Sequence, residues 1–373
     1  MPAEEEPAQP APKEIQTLEE FDRVAVTGSF AGYRVQAVDL RDRTFALLVA
    51  QTSQAVFLGC PMEPQALAHV RAGGALVFPP VPELPFDPYR AALYAPGELY
   101  EGLEEAGYPG TPDARTYAWY LRTAADGDIL ASMLRSIHDD AVSDALDERL
   151  LGRRVVGVMG GHAMERGGAA YAGAARLGRE LARRGLTVAT GGGPGAMEAA
   201  NFGAYAAPYD DVMLGKALTV LAGVPDFRPS VAGWAAAALA VRDRWPDGGP
   251  SYGLPTWFYG HEPSNAFAAH IAKFFANATR EDGLLSRCTA GVVFLPGAAG
   301  TVQEVFDAAT PNYYGSRGEP APMVLVDRAH WTTRLPVWPL LRSLAADRPM
   351  GRRIELVDSV TEVPAALDRL AAA

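Results

Sequence analysis

Gly291-Val292-Val293-Phe294-Leu295-Pro296-Gly297-Ala298-Ala299-Gly300-Thr301-Val302-Gln303-Glu304 decides how the rest of this 373-residue chain is read. A short apolar, β-prone run ends at a proline, and a turn of small residues follows. A Thr-x-x-Glu then opens Val305-Phe306-Asp307-Ala308-Ala309, which suits a helix. Strand, loop and helix start together favour an anion. The first amides of a helix lack intrahelical partners and sit at the positive end of its dipole, and Gly297, Ala298, Ala299 and Gly300 let a ligand approach the main chain closely. A phosphate fits that description. The same residues have a second reading: Thr301 and Glu304 have the spacing of a capping box, in which hydroxyl and carboxylate only satisfy loose amides. Thr301 can serve both roles.

On the N-terminal side of this stretch, strands and helices alternate from Arg154, the pattern of a doubly wound parallel sheet. Val155-Val156-Gly157-Val158-Met159 reads as a strand, Gly160-Gly161-His162 as its loop, and 169–184 as an amphipathic helix ended by Gly185. Leu186-Thr187-Val188-Ala189-Thr190 reads as the next strand, followed by Gly191-Gly192-Gly193-Pro194-Gly195 and a helix from Pro194, a residue suited to a first turn. Loops at the carboxyl edge of such a sheet are where ligands bind. Further strands are expected at 218–221, 254–259 and 323–327. Helices are expected at 231–244, at 266–280 with Ser264 or Asn265 as cap, and at 363–370.

Two motifs add a resemblance. Pro296-Gly297-Ala298-Ala299-Gly300-Thr301-Val302-Gln303-Glu304 resembles the PGGxGTxxE signature of the LOG family, the nucleoside 5′-monophosphate phosphoribohydrolases often mislabelled "lysine decarboxylases". Gly191-Gly192-Gly193-Pro194-Gly195-Ala196-Met197-Glu198-Ala199-Ala200 is similar to that family's GGGxxGxMxA segment, and the two stand in the family's order. The resemblance covers roughly 154–327. It implies a Rossmann-like fold, release of free base and ribose 5-phosphate from a nucleoside 5′-monophosphate, no metal or redox cofactor, and a homodimer or higher homo-oligomer with the 266–280 helix as an interface candidate.

By the same resemblance the chemistry falls to Glu304 and to an arginine ahead of the signature strand. Arg280 stands nearer the family's separation than Arg287. Its neighbours Thr279, Glu281 and Asp282 depart from the family's Arg-Lys pair, and a surface ion pair with Glu281 or Asp282 competes with the catalytic role. Ala298 replaces a family glycine, which would be costly if that position required φ > 0.

Breaking an N-glycosidic bond places positive charge on the ribose, so Glu304 beneath the ring would stabilise it and orient water. Arg280 would hold the base or phosphate. Gly297, Ala298, Gly300 and Thr301 would carry the phosphate, binding energy remote from the reacting bond. Gly160, Gly161, Gly191, Gly192, Gly193, Gly195 and Met197 would form the opposite wall. His162 could donate to phosphate or base or be incidental, and Asn265 and His261 are weaker candidates of that kind. The rival class is a carrier of a nucleotide or pterin-type cofactor, since fold alone does not decide function. Glu304 discriminates: an enzyme needs its carboxylate free in the pocket, while a carrier could use it as a helix cap.

A net charge of −11 argues against binding nucleic-acid polymers, and no apolar run approaches the roughly 18 residues of a membrane span. Met1-Pro2-Ala3-Glu4-Glu5-Glu6 has the wrong charge for a secretory signal, so a cytoplasmic location is expected. Lysine occurs only at Lys13, Lys216 and Lys273, none of them in a glycine loop, which speaks against a Schiff-base decarboxylase. Cys60 and Cys288 read as small buried apolar residues.

The first 16 residues read as a disordered acidic tail, 17–150 as a β-rich and helical region of unknown role, and 151–373 as the Rossmann-like nucleotide-binding catalytic domain. Within the middle region 24–26, 33–38, 45–49, 55–58 and 75–78 read as strands and 63–71 as a helix carrying a surface or packing histidine, His69. Residues 79–88 read as a proline-rich connector. Residues 113–150 read as helical, split at Asp126-Gly127-Asp128, with Asp139-Asp140 on a solvated face.

Overall fold

The computed structural model describes residues 13–260, 262–316 and 318–373. They form two compact units, one ending at Ala91 and one beginning at Ala92. The first twelve residues of the expected tail lie outside the described residues, as does His261.

The first unit is a four-stranded parallel sheet, β1 (Lys13–Ile15), β2 (Tyr33–Gln36), β3 (Val56–Leu58) and β4 (Leu76–Phe78), in sequential order. Helices α1 (Leu18–Ala25), α2 (Thr44–Val49) and α3 (Pro64–Ala72) connect the strands. Ile15, Phe21, Phe30, Val35, Leu47, Phe57 and Val70 form its core. Three expectations are corrected here. Residues 13–15 are a strand and not tail, while 24–26 and 45–49 lie in or beside helices. The cause for α1 is a capping box, with Thr17 Oγ1 accepting the Glu20 amide and the Glu20 carboxylate accepting the Thr17 amide. For α2, five apolar residues in a row carry no period by which helix and strand could be told apart.

The second unit opens with two single-turn helices, α4 (Pro96–Leu99) and α5 (Leu103–Ala106), then α6 (Pro112–Ala125) and α7 (Ile129–Leu150). The sheet that follows is parallel throughout: β5 (Val155–Met159), β6 (Thr187–Thr190), β7 (Tyr252–Gly253), β8 (His270–Ile271), β9 (Gly291–Phe294), β10 (Met323–Val326) and β11 (Ile354–Val357), in the order β11-β10-β9-β5-β6-β7-β8. Helices α8 (Ala169–Arg183), α9 (Ala196–Tyr205), α10 (Asp211–Ala222), α11 (Val231–Arg244), α12 (Asn277–Arg287), α13 (Ala299–Tyr314), α14 (Val337–Ala345) and α15 (Val363–Ala371) complete it. Every residue of β5, β9 and β10 is buried, as strands covered on both faces require. The chain winds outward from β5 to β8 and returns to pair β9 with β5 on its other side. That reversal is a topological switch point, and in open α/β sheets it places a crevice beyond the carboxyl ends of the central strands.

Three more expectations fail in this unit. Residues 218–221 belong to α10, because Asp210 caps the Met213 amide at 2.8 Å and Met213, Leu214, Ala217 and Leu221 bury one helical face. No strand runs over 254–259: the ladder with β6 is made by the preceding Tyr252–Gly253, the Leu254 amide adds one bond to the Thr190 carbonyl at 2.9 Å, and Thr256 makes an isolated bridge to Phe274. Between Ser264 and Phe275 there is no helix. Asn265 Oδ1 accepts the Phe267 and Ala268 amides, β8 follows, and α12 begins only at Asn277, so the expected 266–280 interface helix does not exist.

Candidate functional site

A cavity of about 750 Å³ lies at the switch point, inside the ~300–1,000 Å³ range of small-molecule sites. Loops following β5, β6 and β9 build its wall, and they are tied to one another. The Gly161 amide donates to the Pro296 carbonyl at 3.1 Å, and the Ala196 amide donates to the Gly161 carbonyl at 3.1 Å. Gly195 makes this crossing possible. Its φ is +71°, and a Cβ there would stand 2.5 Å from the Gly161 carbonyl oxygen. Gly195 is also the N-cap of α9, so Pro194 stands one residue before the cap and not in the first turn.

The β9 loop is where sequence left two readings. The N-cap of α13 is Ala298, and no side chain caps the helix. Ala299, Gly300 and Thr301 are therefore the first three helical residues, whose amides have no intrahelical acceptor. The capping box between Thr301 and Glu304 does not form: Thr301 already sits inside the helix, and Glu304 stands on its second turn. Ala298 adopts φ −112°, so the position does not require the positive φ that would favour the family glycine. Gly297 is the strict position, because a Cβ there would collide with the Thr301 side chain.

Glu304 faces the cavity and is nine-tenths buried. Its Oε1 lies 3.3 Å from Arg280 Nη1. Burial pushes the Glu304 carboxyl up to about 7, with Arg280 pulling down against it and the Glu281 charge adding to the rise. Arg280 is also buried: Nη2 donates to Asn277 Oδ1 at 3.1 Å, and Nε has no partner among the described residues. Glu281 stands 3.8 Å from the guanidinium and accepts from Asn277 Nδ2 at 2.9 Å and Gln303 Nε2 at 2.6 Å. The surface ion pair weighed from sequence is thus a buried network. Arg287, the rejected alternative, bonds to Asp147 and Ser143 on α7.

The element carrying Arg280 is held from α7. Asp139, read from sequence as a solvated residue, is buried and accepts the Phe275 and Ala276 amides at 2.9 and 2.8 Å, at the entry to α12. Its Oδ1 also faces His138 Nδ1 at 3.1 Å. Two amides brought together by tertiary packing require an acceptor, and no local pattern around Asp139 announces them.

Of the residues expected at the site, Gly160, Gly161, His162, Gly191, Gly193, Met197, Arg280, Gly297, Ala298, Gly300, Thr301 and Glu304 all line the cavity. Gly192, Gly195 and Asn265 do not. Asn265 is fully buried, its Nδ2 donating to the Gly193 carbonyl at 3.2 Å and its amide to the Gly192 carbonyl at 2.8 Å, so it shapes the triple-glycine loop from behind. His162 Nδ1 reaches Glu262 Oε1 at 2.8 Å across the cavity mouth. Sequence reading missed Tyr259, Glu262, Glu281, Gln303 and His330, of which only Glu281 had been weighed, as a competitor for Arg280. Lys273 lies away from the cavity, buried against Asp113 at 2.6 Å and Ser264 at 3.0 Å. Among the described residues no cluster of His, Cys, Asp and Glu is placed to hold a metal ion, and no helix is long and apolar enough to cross a membrane.

Residues 153–209 match the model of the SLOG cluster4 family. That stretch carries the β5 and β6 loops and α9 and ends before Arg280 and Glu304. No curated protein matches the chain. Solved structures similar to it include the molybdenum cofactor binding protein from the phototrophic bacterium Rippkaea orientalis, 15% identical with a TM-score of 0.38, covering 59% of this chain and 99% of that one. Another is the molybdenum cofactor carrier protein MCP from Chlamydomonas reinhardtii, 18% identical with a TM-score of 0.38, again covering 59% of this chain and 99% of that one.

Proposed function

We propose that this chain hydrolyses the N-glycosidic bond of nucleoside 5′-monophosphates, releasing free base and ribose 5-phosphate. The observation carrying this reading is the position of Glu304: it caps nothing, faces the cavity, and its carboxyl is pushed up to about 7 beside Arg280. A carboxylate poised near neutrality can accept a proton from water while its charge stabilises the cationic ribose in the transition state. Water adds to the anomeric carbon as the bond to the base breaks, and the departing base takes up a proton. Arg280 balances negative charge on the leaving base, and the free amides of Ala299, Gly300 and Thr301 hold the 5′-phosphate. The SLOG match over 153–209 is consistent with the LOG resemblance, the two groups being related.

The test is base release from a panel of purine and pyrimidine 5′-monophosphates and the corresponding nucleosides, with wild type and Glu304→Ala. Release confined to monophosphates and lost in the variant is the expected outcome. A second reading, carriage of a nucleotide or pterin-type cofactor without cleavage, is favoured by the cavity volume, which lies in the upper part of the small-molecule range. Tight nucleotide or pterin binding with no base released from any member of the panel would replace the first reading by the second.

A further inference from the structure

We propose that His330 is a ligand of the substrate phosphate and that it makes the site selective for a phosphomonoester, an inference that rests on the proposed function. It belongs to no glycine motif, and a left-handed residue brings it to the site. At the carboxyl end of β10, Asp327 adopts φ +80° while its amide bonds to the Val357 carbonyl at 3.0 Å. Aspartate tolerates that conformation better than most residues, and its Oδ1 accepts the His330 amide at 3.0 Å. The chain then enters a single π-helical turn, His330–Arg334, with the imidazole held at 4.6 Å edge-on to the buried Trp331. The ring is nine-tenths buried, lines the cavity, and its Nε2 accepts the Gly297 amide at 3.4 Å.

Gly297 leads directly into the open first turn of α13, so the ring edge occupies the place an incoming anion would take. A phosphate oxygen satisfies both groups at once. It accepts the Gly297 amide, and with the ring proton carried on Nε2 it accepts from His330 as well. A neutral imidazole carries one N–H, so the exchange needs only the other tautomer. Something of this kind is required by the charge around the loop. Among the described residues lining the cavity, Arg280 is the single Lys or Arg, and it is shared with Glu304, while Glu262 and Glu281 add negative charge. The loop itself offers amides, the Thr301 hydroxyl and His330. Arg280 Nε, buried and unpartnered in the same cavity, is a further donor that no described residue satisfies.

The test compares affinities of adenosine 5′-monophosphate and adenosine, by calorimetry and by KM, in wild type, His330→Phe and His330→Gln. One charge-assisted hydrogen bond lost corresponds to about 10- to 100-fold in affinity. We expect His330→Phe to weaken the monophosphate by that factor and to leave the affinity for adenosine as in wild type, with His330→Gln, which keeps an N–H donor, recovering most of the loss. Circular dichroism and the unfolding midpoint show whether each variant is folded, and His330→Gln carries the comparison if His330→Phe is not. Base release with unchanged monophosphate selectivity in both variants overturns this inference and leaves the proposed function standing. Selective loss of monophosphate binding in a protein that releases no base supports the inference and overturns the hydrolysis. No monophosphate binding in wild type overturns both.

Discussion

Glu304→Gln separates a titrating carboxyl from a structural one. In wild type, burial and the Glu281 charge raise the carboxyl from 4.5 to about 7 against the pull of Arg280. A native-state value above the unfolded one means that the native protein binds this proton more tightly, so ionising it weakens the fold. The contribution of Glu304 to stability is therefore most favourable below about pH 4.5, declines as pH rises through the interval to 7, and is flat above it. Each tenfold gain in proton affinity on folding is worth about 1.36 kcal/mol, so the decline amounts to at most about 3 kcal/mol. Glutamine has no such proton and shows no such decline. Arg280 stays charged across this range, and its attraction for the ionised carboxyl is already contained in the value of about 7, so it adds no further slope. Titrating groups that do not interact with Glu304 are common to both proteins and cancel in the difference.

The assay is urea unfolding at half-unit steps from pH 4.5 to 8.5, followed by tryptophan fluorescence. All six tryptophans lie beyond Ala92, so the signal reports the unit that contains the site. We expect the stability of Glu304→Gln relative to wild type to rise by up to about 3 kcal/mol between pH 5 and 8. Parallel curves for the two proteins over that window would refute the reasoning, because the carboxyl would then not titrate near neutrality. The kinetic counterpart is a limb in kcat/KM near pH 7, rising with pH if Glu304 acts as base. A stability difference of the expected form beside a flat rate profile would keep the titration and remove the general-base role.

Two further outcomes are expected. Gly297→Ala places a methyl group against the Thr301 side chain, so it should cost about 1–3 kcal/mol of stability and lower monophosphate affinity at least about tenfold with unchanged far-UV dichroism, checked by unfolding and calorimetry. Asp139→Ala strips the acceptor from the Phe275 and Ala276 amides and should lower stability by about 2–4 kcal/mol and kcat/KM for base release, whereas Asp140→Ala, on the exposed neighbour, should lower both less; equal effects of the two would remove Asp139 as the residue that positions α12.

What was legible of the site in sequence is its glycine loops, read from the residues, and the side chains of Arg280 and Glu304, given by the family resemblance. Val155–Met159 and Gly291–Phe294 are unbroken apolar runs because both sheet faces are covered, and the loops after β6 and β9 carry glycine where a side chain, at Gly195 or Gly297, would collide with the neighbouring loop or helix turn. Such constraints are local and leave a pattern of residue types. The segment from Ser264 to Phe275 left none: most of it is buried, so no polar face marks a period, and its irregular backbone is held by Asn265 and the strand pairs of β8. Asp139 meets its amides across 136 residues of chain, and His330 reaches the Gly297 loop from the end of the adjacent strand, beyond the left-handed Asp327. Tyr259, Glu262 and Glu281 likewise come to the cavity by tertiary packing. Glycine loops make this a crevice lined by main chain, whereas the side chains that packing delivers would, under the proposed function, set which phosphate-bearing molecule it takes. Substitutions at His330 and Glu262 should therefore alter ligand choice while the fold stands, and substitutions at Gly195 or Gly297 should disturb the crevice for every ligand alike.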